Sequence, residues 1–197
     1  MKCTILFGSP RVNGNTSVMT KWFRDECKAL GLETELIPLY EKQMEPCRGC
    51  MVCQDRLDCL GCVQEDDLEA VFQTMIDCDV LVLATPIYAW YCTAPMKALV
   101  DRAIYAGNKK YGKVKGPGLL ENKKVASIVT CGYPAEKGAD LWEAGVKRWC
   151  RHGKMEYLGM LCGRDMGGKI PFADGEKEAS ARAFARTIYH SIAMEEV

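Results

Sequence analysis

The chain has 197 residues, which suits a single globular domain with a buried core. Its 26 basic and 26 acidic residues balance, so no overall field attracts nucleic acid or an anionic membrane. No apolar stretch approaches the roughly 20 residues that span a bilayer, and the short apolar run over residues 1–7 lacks the cleavage site of a signal peptide. We therefore expect a cytoplasmic protein without nucleic-acid or membrane partners.

Short apolar runs alternate with longer helical patterns along the chain. Strands are predicted over residues 3–7, 34–39, 80–85, 125–131 and 157–162; the second would be an edge strand and the other four would be buried on both faces. Helices are predicted over residues 16–30, 66–77, 95–105, 139–151 and 176–194. This alternation predicts right-handed crossovers and one α/β domain over 1–197, with a parallel sheet between two helical layers.

Some charged and glycine-rich segments are predicted to be structural. Asp66 and Asp67 suit the positive end of the helix dipole at the start of the second helix. Asp101 and Arg102 are adjacent in the third helix, and we expect a surface or packing pair. Residues 107–120 are rich in Gly and Lys and predict a surface connection.

The first predicted strand runs into a polar turn, residues 8–17, and then directly into a helix. A helix N-terminus with free backbone N–H groups attracts anions. The side chains of Ser9, Asn15, Thr16 and Ser17 can complete a cage around a phosphate monoester. The turn matches neither the P-loop nor the three-glycine dinucleotide motif. It predicts either a phosphate site or an ordinary turn before a capped helix.

Two further loops, residues 86–91 and 130–134, follow the third and fourth predicted strands. Ligands of open α/β sheets lie outside the carboxyl ends of the strands, so both loops are expected to face one ligand. Pro86 stiffens a turn whose backbone amides could bind a planar heterocycle, and Tyr88, Trp90 and Tyr91 offer stacking surface. Alternatively, these rings cover the core.

The twelve cysteines divide into two groups. Cys3, Cys78, Cys131 and Cys162 lie in or beside apolar runs and are expected to be small buried hydrophobes. Five others crowd residues 47–62: Cys47, Cys50, Cys53, Cys59 and Cys62. Closely spaced thiolates suit an iron-sulfur cluster or zinc. The alternative is a loop of free thiols, because a cytosolic setting opposes disulfides.

Three motifs together resemble the NADPH-dependent FMN reductase family, especially its iron-sulfur flavoprotein branch. They are Gly-Ser-Pro-Arg-x-x-Gly-Asn-Thr at 8–16, Pro-Ile-Tyr at 86–88 and Ala-Pro-Met-Lys-Ala-Leu-Val-Asp-Arg at 94–102. The resemblance implies a flavodoxin-like three-layer sandwich whose five-stranded parallel sheet has the order 2-1-3-4-5. It also implies a homodimer or homotetramer with the flavin near a subunit interface.

The resemblance further implies bound FMN, with its phosphate in the 9–17 loop and its ring on the 86–90 and 130–133 loops. The implied contacts are Ser9, Arg11, Asn13, Asn15, Thr16, Ser17, Pro86, Ile87, Tyr88, Ala89, Trp90, Thr130, Gly132 and Tyr133.

In the same branch, a compact C-x2-C-x2-C-x5-C spacing holds a 4Fe-4S cluster, and Cys47, Cys50, Cys53 and Cys59 reproduce it. In the family, however, the last cysteine is followed after a few residues by two aspartates, a context that Cys62 fits better. The resemblance therefore leaves Cys59 and Cys62 open as the fourth ligand.

The implied function is an FMN-dependent oxidoreductase that passes electrons from NAD(P)H or a reduced carrier to a small acceptor. The flavin supplies the chemistry, so no catalytic acid, base or nucleophile is assigned. One alternative is an electron carrier with a ferredoxin-like partner. Another is a flavodoxin-shaped binding module without redox activity.

Overall fold

The computed structural model describes residues 1–110, 118–168 and 170–193. In these ranges, five parallel strands form one sheet in the order β2-β1-β3-β4-β5. The strands are β1 (Lys2–Phe7), β2 (Glu33–Pro38), β3 (Val80–Pro86), β4 (Lys124–Cys131) and β5 (Glu156–Arg164). The predicted flavodoxin-like fold is confirmed.

Helices cover both faces of this sheet: α1 (Asn15–Ala29), α2 (Leu68–Asp77), α3 (Ala94–Gly107), α4 (Ala135–Gly138), α5 (Asp140–Gly153) and α6 (Gly175–Ala193). Side chains of β1 alternate between two cores, because successive strand residues point to opposite faces. Ile5 packs in the core with residues of α1 and α6, whereas Leu6 packs with residues of α2, α3 and α5. Each central strand is therefore buried on both faces.

The structure corrects two sequence predictions. Residues 157–162 were expected to be buried on both faces, but β5 is an edge strand, and most of its residues are only half-buried. Arg102 was expected to form a surface or packing pair with Asp101. Instead it is buried and forms an ion pair with Asp66, while Asp101 pairs with Lys97 one turn earlier.

The predicted element bounds agree with the observed ones to within about two residues. Residue 194 of the helix predicted over 176–194 and residues 111–117 of the connection predicted over 107–120 lie outside the described residues. Among the helices that are described, none combines the length and the apolar character needed to cross a membrane.

Candidate functional site

The loops after β1, β3 and β4 converge on one cavity at the carboxyl end of the sheet. Because chain order reverses between β1 and β3, this edge holds the switch point at which open α/β sheets bind ligands. The residues that line the cavity are Ser9, Arg11, Gly14, Asn15, Thr16, Pro86, Ile87, Tyr88, Thr130, Cys131, Gly132 and Asp165.

The turn after β1 delivers the start of α1 to this cavity. Gly14 N–H donates to Arg11 O at 3.1 Å and closes the turn, and Val18 N–H donates to Gly14 O at 3.0 Å as the helix begins. The N–H groups of the first helical turn have no intrahelical acceptor. They and the helix dipole create a positive region beside Arg11, the one cationic side chain among the described lining residues.

Direct hydrogen bonds join the three loops. Thr16 Oγ1 and Thr130 Oγ1 lie 2.7 Å apart and are buried. Ile87 N–H donates to Thr130 O at 2.8 Å, which extends the β3–β4 ladder beyond the sheet. Thr93 Oγ1 donates to Gly8 O at 2.7 Å, and a Cβ at Gly8 would lie 3.0 Å from that hydroxyl. Hydrogen bonds between the loops therefore fix the cavity walls.

A tight hairpin over residues 88–91 forms the aromatic rim of the cavity. Tyr88 and Tyr91 exchange backbone hydrogen bonds, and the two residues between them, Ala89 and Trp90, have left-handed φ values of 48° and 65°. Such a turn normally carries Asn or Gly, so Ala and Trp store local strain here. Tyr91 packs edge-on against Trp142 in the core, at 5.5 Å between ring centroids. Tyr88 and Trp90 stay about half exposed.

A second cavity lies against α3, and its walls carry four of the five clustered thiols. Cys47, Cys50, Cys53 and Cys62 line it together with Arg102 and Tyr105. Cys59 is exposed and lies outside it. The resemblance left Cys59 and Cys62 open as the fourth member, and the structure brings Cys62 to the other three thiols.

Buried hydrogen bonds fix the path of this cysteine loop. Lys109, which is buried just after α3, donates from Nζ to Cys53 O at 3.1 Å, Cys59 O at 2.6 Å and Leu60 O at 3.1 Å. Gly61 then adopts a left-handed φ of 65°, where a Cβ would collide with Arg56. The Cys59 carbonyl is anchored by Lys109, and the Cys59 side chain lies outside the thiol cavity. The turn at Gly61 follows, and Cys62 lines the cavity.

Arg102 supplies positive charge to the same cavity. Its Nη1 donates to an Asp66 carboxylate oxygen, and its Nη2 donates to Cys62 Sγ at 3.2 Å. Burial opposes ionisation of Asp66, but the bonds from Arg102 and from backbone N–H groups outweigh it and lower the pKa of that carboxyl. The ion pair therefore holds a permanent cation against the thiol of Cys62.

The NADPH-dependent FMN reductase family matches this chain over residues 1–141, which is more than half of its length. The chain belongs to the NADPH-dependent FMN reductase family. The matched region includes every lining residue of both cavities except Asp165.

Individual proteins resemble this chain in sequence or in fold. An iron-sulfur flavoprotein of Methanocaldococcus jannaschii is 33% identical over 103 residues, which are 52% of this chain and 52% of that protein. The chain thus matches about half the length of this curated relative. RosB, solved with 8-demethyl-8-formylriboflavin-5'-phosphate, has 17% identity and a TM-score of 0.76 over 100% of this chain and 80% of its own. The NAD(P)H:quinone oxidoreductase of Methanothermobacter marburgensis has 21% identity and a TM-score of 0.64 over 96% of this chain and 98% of its own. Both structures share the fold.

In this family member, most of the sequence-predicted contacts line the cavity above the sheet: Ser9, Arg11, Asn15, Thr16, Pro86, Ile87, Tyr88, Thr130 and Gly132. The others lie outside its lining: Asn13, Ser17, Ala89, Trp90 and Tyr133. Ser17 faces a separate groove between α1 and β2. Tyr133 lies at the surface beside the cavity, 60% exposed.

Sequence reasoning missed three lining residues: Gly14, Cys131 and Asp165. Gly14 lay within the predicted turn but offered no side chain to notice. Cys131 was predicted to be buried and lay within the loop over 130–134 that was expected to face the ligand, but it was not named among the contacts. It is buried at the end of β4 and lines the cavity. Asp165 follows β5, and the rule that ligands lie beyond strand ends could have identified it.

Cys131 lies close to Cys162 on the neighbouring strand, with 3.5 Å between the sulfur atoms. The hydrogen bond from Cys162 lowers the pKa of Cys131 to about 7, although burial opposes ionisation. The same bond is the main cause of the raised pKa of Cys162. Cys131 is therefore the more acidic thiol of the pair.

We expect iodoacetamide to alkylate Cys131 with a rate that rises as pH increases through about 7, because only the thiolate reacts. FMN should slow this reaction, since Cys131 lines the cavity. Peptide mass spectrometry after timed labelling measures both effects. Cys150 is the control, because burial raises its pKa to about 12. A rate at Cys131 that is flat between about pH 6 and pH 8 would contradict the assignment.

The thiol cavity passes a chemical test for a metal-thiolate centre. Four soft sulfur ligands share one cavity with a buried guanidinium, which suits an anionic centre. Along the described part of the chain, no three metal-binding side chains converge closely enough to hold a single ion.

Proposed function

We propose that this chain is an FMN-dependent oxidoreductase that takes electrons from NAD(P)H or a reduced carrier and passes them to a small acceptor. The observation that carries the proposal is the convergence of three hydrogen-bonded loops and the N-terminus of α1 on one cavity at the switch point. Membership of the NADPH-dependent FMN reductase family supports FMN as the ligand and NAD(P)H as the donor.

The N-terminus of α1 would bind the FMN phosphate. Asn15 and Thr16 offer free backbone N–H groups and polar side chains, Ser9 offers a hydroxyl, and Arg11 offers a cation. Negative charge is favoured there because the helix dipole and Arg11 have the same sign of potential. Asn13 and Ser17 would act from the flanks of the same turn.

The loops after β3 and β4 would hold the isoalloxazine ring. Ile87 has its N–H committed to Thr130 O, so the fixed backbone around Pro86, Tyr88 and Gly132 would orient the ring. Ala89, Trp90 and Tyr133 would form the outer rim. When bound, the flavin exchanges a hydride or single electrons at its ring, and these residues bind and orient it.

We further propose that Cys47, Cys50, Cys53 and Cys62 hold a 4Fe-4S cluster, with Cys59 outside the ligand set. The shared cavity and the buried cation beside Cys62 support this ligand set. The cluster, when bound, would transfer single electrons. Helix α3 runs from the turn after β1 to the thiol cavity: Met96 lies beside Gly8, and Arg102 follows six residues later, about 9 Å along the helix axis.

This second cavity favours one alternative function, that of an electron carrier with a ferredoxin-like partner. In that case electrons would enter one at a time through the cysteine loop, whose Cys50 is exposed. The two functions differ in whether NADPH alone reduces the flavin.

An anaerobic absorption spectrum of fresh protein tests the proposal, with iron, zinc and acid-labile sulfide assayed on the same sample. We expect flavin bands, a broad shoulder at longer wavelength than protein absorption, and about four irons per chain. Bleaching by NADPH supports the oxidoreductase, whereas bleaching only by a reduced ferredoxin supports the carrier. Protein that stays colourless after FMN addition would leave a binding module without redox activity. Zinc without iron would refute the cluster alone.

The proposal also covers the oligomeric state of the protein and its cellular compartment. Tyr88, Trp90 and Tyr133 expose aromatic surface beside the cavity, which fits a homodimer or homotetramer with the flavin near the subunit interface. Sedimentation equilibrium of the FMN-loaded protein measures that assembly, and a monomer would refute it. None of the twelve cysteines forms a disulfide, which fits a reducing compartment such as the cytoplasm.

A further inference from the structure

Arg102 is a buried cationic side chain in the lining of the cavity that holds the four thiols. Only 2% of its surface is exposed. The described residues accept four hydrogen bonds from its terminal nitrogens: Nη1 donates to Asp66 and to Glu45 O, and Nη2 donates to Cys62 Sγ and to Gln64 O. An arginine in this position is held in one orientation by both ends of the cysteine loop.

One donor of this guanidinium has no partner. Arg102 Nε is buried, and no acceptor among the described residues lies within hydrogen-bond distance of it. Native proteins rarely leave a buried N–H unpaired, so this donor calls for an acceptor that the described residues do not supply. Arg102 lines the thiol cavity, so an acceptor placed in that cavity would complete the set.

We propose that Arg102 is a positioning residue for the metal centre: it orients Cys62 and donates Nε–H to a sulfur of the bound cluster, which raises the reduction potential of that cluster. This inference rests on the proposed 4Fe-4S cluster. It goes beyond it by assigning control of the potential to one ion pair, formed by Arg102 and Asp66.

The sign of the effect follows from charge. A cluster bound by four thiolates is anionic, and its reduction adds a further negative charge. A buried cation near a ligand sulfur stabilises the reduced form more than the oxidised form, and hydrogen bonds to cluster sulfurs act in the same direction. Asp66 opposes this effect, because its carboxylate partly neutralises Arg102. The two residues should therefore shift the potential in opposite directions.

The test is a potentiometric titration of the reconstituted holoprotein, followed by the electron paramagnetic resonance signal of the reduced cluster. Arg102→Gln should shift the midpoint to a more negative potential, and Asp66→Asn should shift it to a more positive one. We expect each change to alter the equilibrium with a one-electron donor at least tenfold, which corresponds to about 59 mV. Arg102→Lys should recover part of the shift, because it keeps the charge but loses the Nε–H.

Folding and non-specific charge effects need their own variants. Arg102→Gln leaves the Asp66 carboxylate buried and unpaired, and this single variant could fail to fold. The double variant Asp66→Asn/Arg102→Gln removes both charges. Because the double variant also lacks the arginine donors, its midpoint potential should still be more negative than that of the wild type. Arg182→Gln is the matched control, because it removes an arginine that pairs with Glu26 and Glu178 between α1 and α6. Its midpoint should equal that of the wild type.

The outcomes separate this inference from the proposal on which it rests. Wild-type protein that takes up no iron overturns the cluster and with it the role of Arg102. Wild-type protein with a full cluster, combined with folded Arg102 variants of unchanged midpoint, overturns the role of Arg102 alone. Midpoints that shift in the same direction for Arg102→Gln and Asp66→Asn would indicate only a structural disturbance and would also overturn it.

Discussion

Cys62→Ser should lose most of its iron after anaerobic reconstitution, whereas Cys59→Ser should keep about four irons per chain. Cys62 lines the same cavity as Cys47, Cys50 and Cys53, and its sulfur accepts a hydrogen bond from Arg102. Cys59 lies outside that cavity. Its side chain is exposed, and its backbone carbonyl accepts a hydrogen bond from Lys109. A serine hydroxyl is a poor substitute for a soft thiolate. Iron and sulfide assays on both variants, with the absorption spectrum, measure the difference.

The two variants control for each other, because each replaces one thiol by a hydroxyl in the same loop. A general effect of losing a cysteine would lower the iron content of both. Retained iron in Cys62→Ser together with lost iron in Cys59→Ser would show that the loop rearranges on loading, and it would restore the ligand set implied by the family spacing. Loss of iron from both variants would mean that each thiol is needed for assembly, which the structure does not predict.

The strands of the sheet could be predicted from the sequence because each strand is marked by the residue pattern of its own short segment. Each central strand, such as β1 or β3, is a short apolar run bounded by turn residues, and burial on both faces requires that pattern. β5 shows the limit of this reasoning. It is as apolar as a central strand, but its position at the sheet edge depends on the strand order, which no local pattern contains.

The cavity at the carboxyl end of the sheet was predicted better than the charge arrangement at the cysteine loop. Its polar residues follow strand ends, and strand ends of a parallel sheet meet at one edge. The Arg102–Asp66 pair joins residues 36 positions apart, whereas the sequence suggested the adjacent Asp101 as the partner. Successive residues of a helix point in different directions, so adjacent charges on α3 do not face each other. The different surroundings of Cys59 and Cys62 likewise involve a residue remote in sequence, Lys109, which donates to Cys59 O.

Thr16→Val should weaken FMN binding without unfolding the protein. The Thr16 hydroxyl lies 2.7 Å from Thr130 Oγ1 and joins the turn before α1 to the loop after β4. Valine keeps the shape but removes this bond, and it leaves the Thr130 hydroxyl without its partner in a buried position. Loss of such a bond costs about 1–3 kcal/mol. Most of that cost falls on the stability of the apoprotein, and only the looser fit of the two loops around FMN weakens binding. Equilibrium titration of apoprotein should therefore give a Kd for FMN that is about tenfold higher, which corresponds to about 1.4 kcal/mol of binding free energy.

Thr4→Val is the matched control for this change. Thr4 is as buried as Thr16 and also uses its hydroxyl, donating to Thr74 O at 3.2 Å, but it lies within β1, away from the cavity lining. Thermal unfolding of the two apoproteins should show similar losses of stability, while only Thr16→Val should change FMN affinity. Riboflavin lacks the phosphate, so its affinity should fall less than that of FMN if Thr16 acts at the phosphate. Equal losses for both flavins would instead place the effect on the loop that holds the ring, and an unchanged Kd for FMN would remove Thr16 from the binding site.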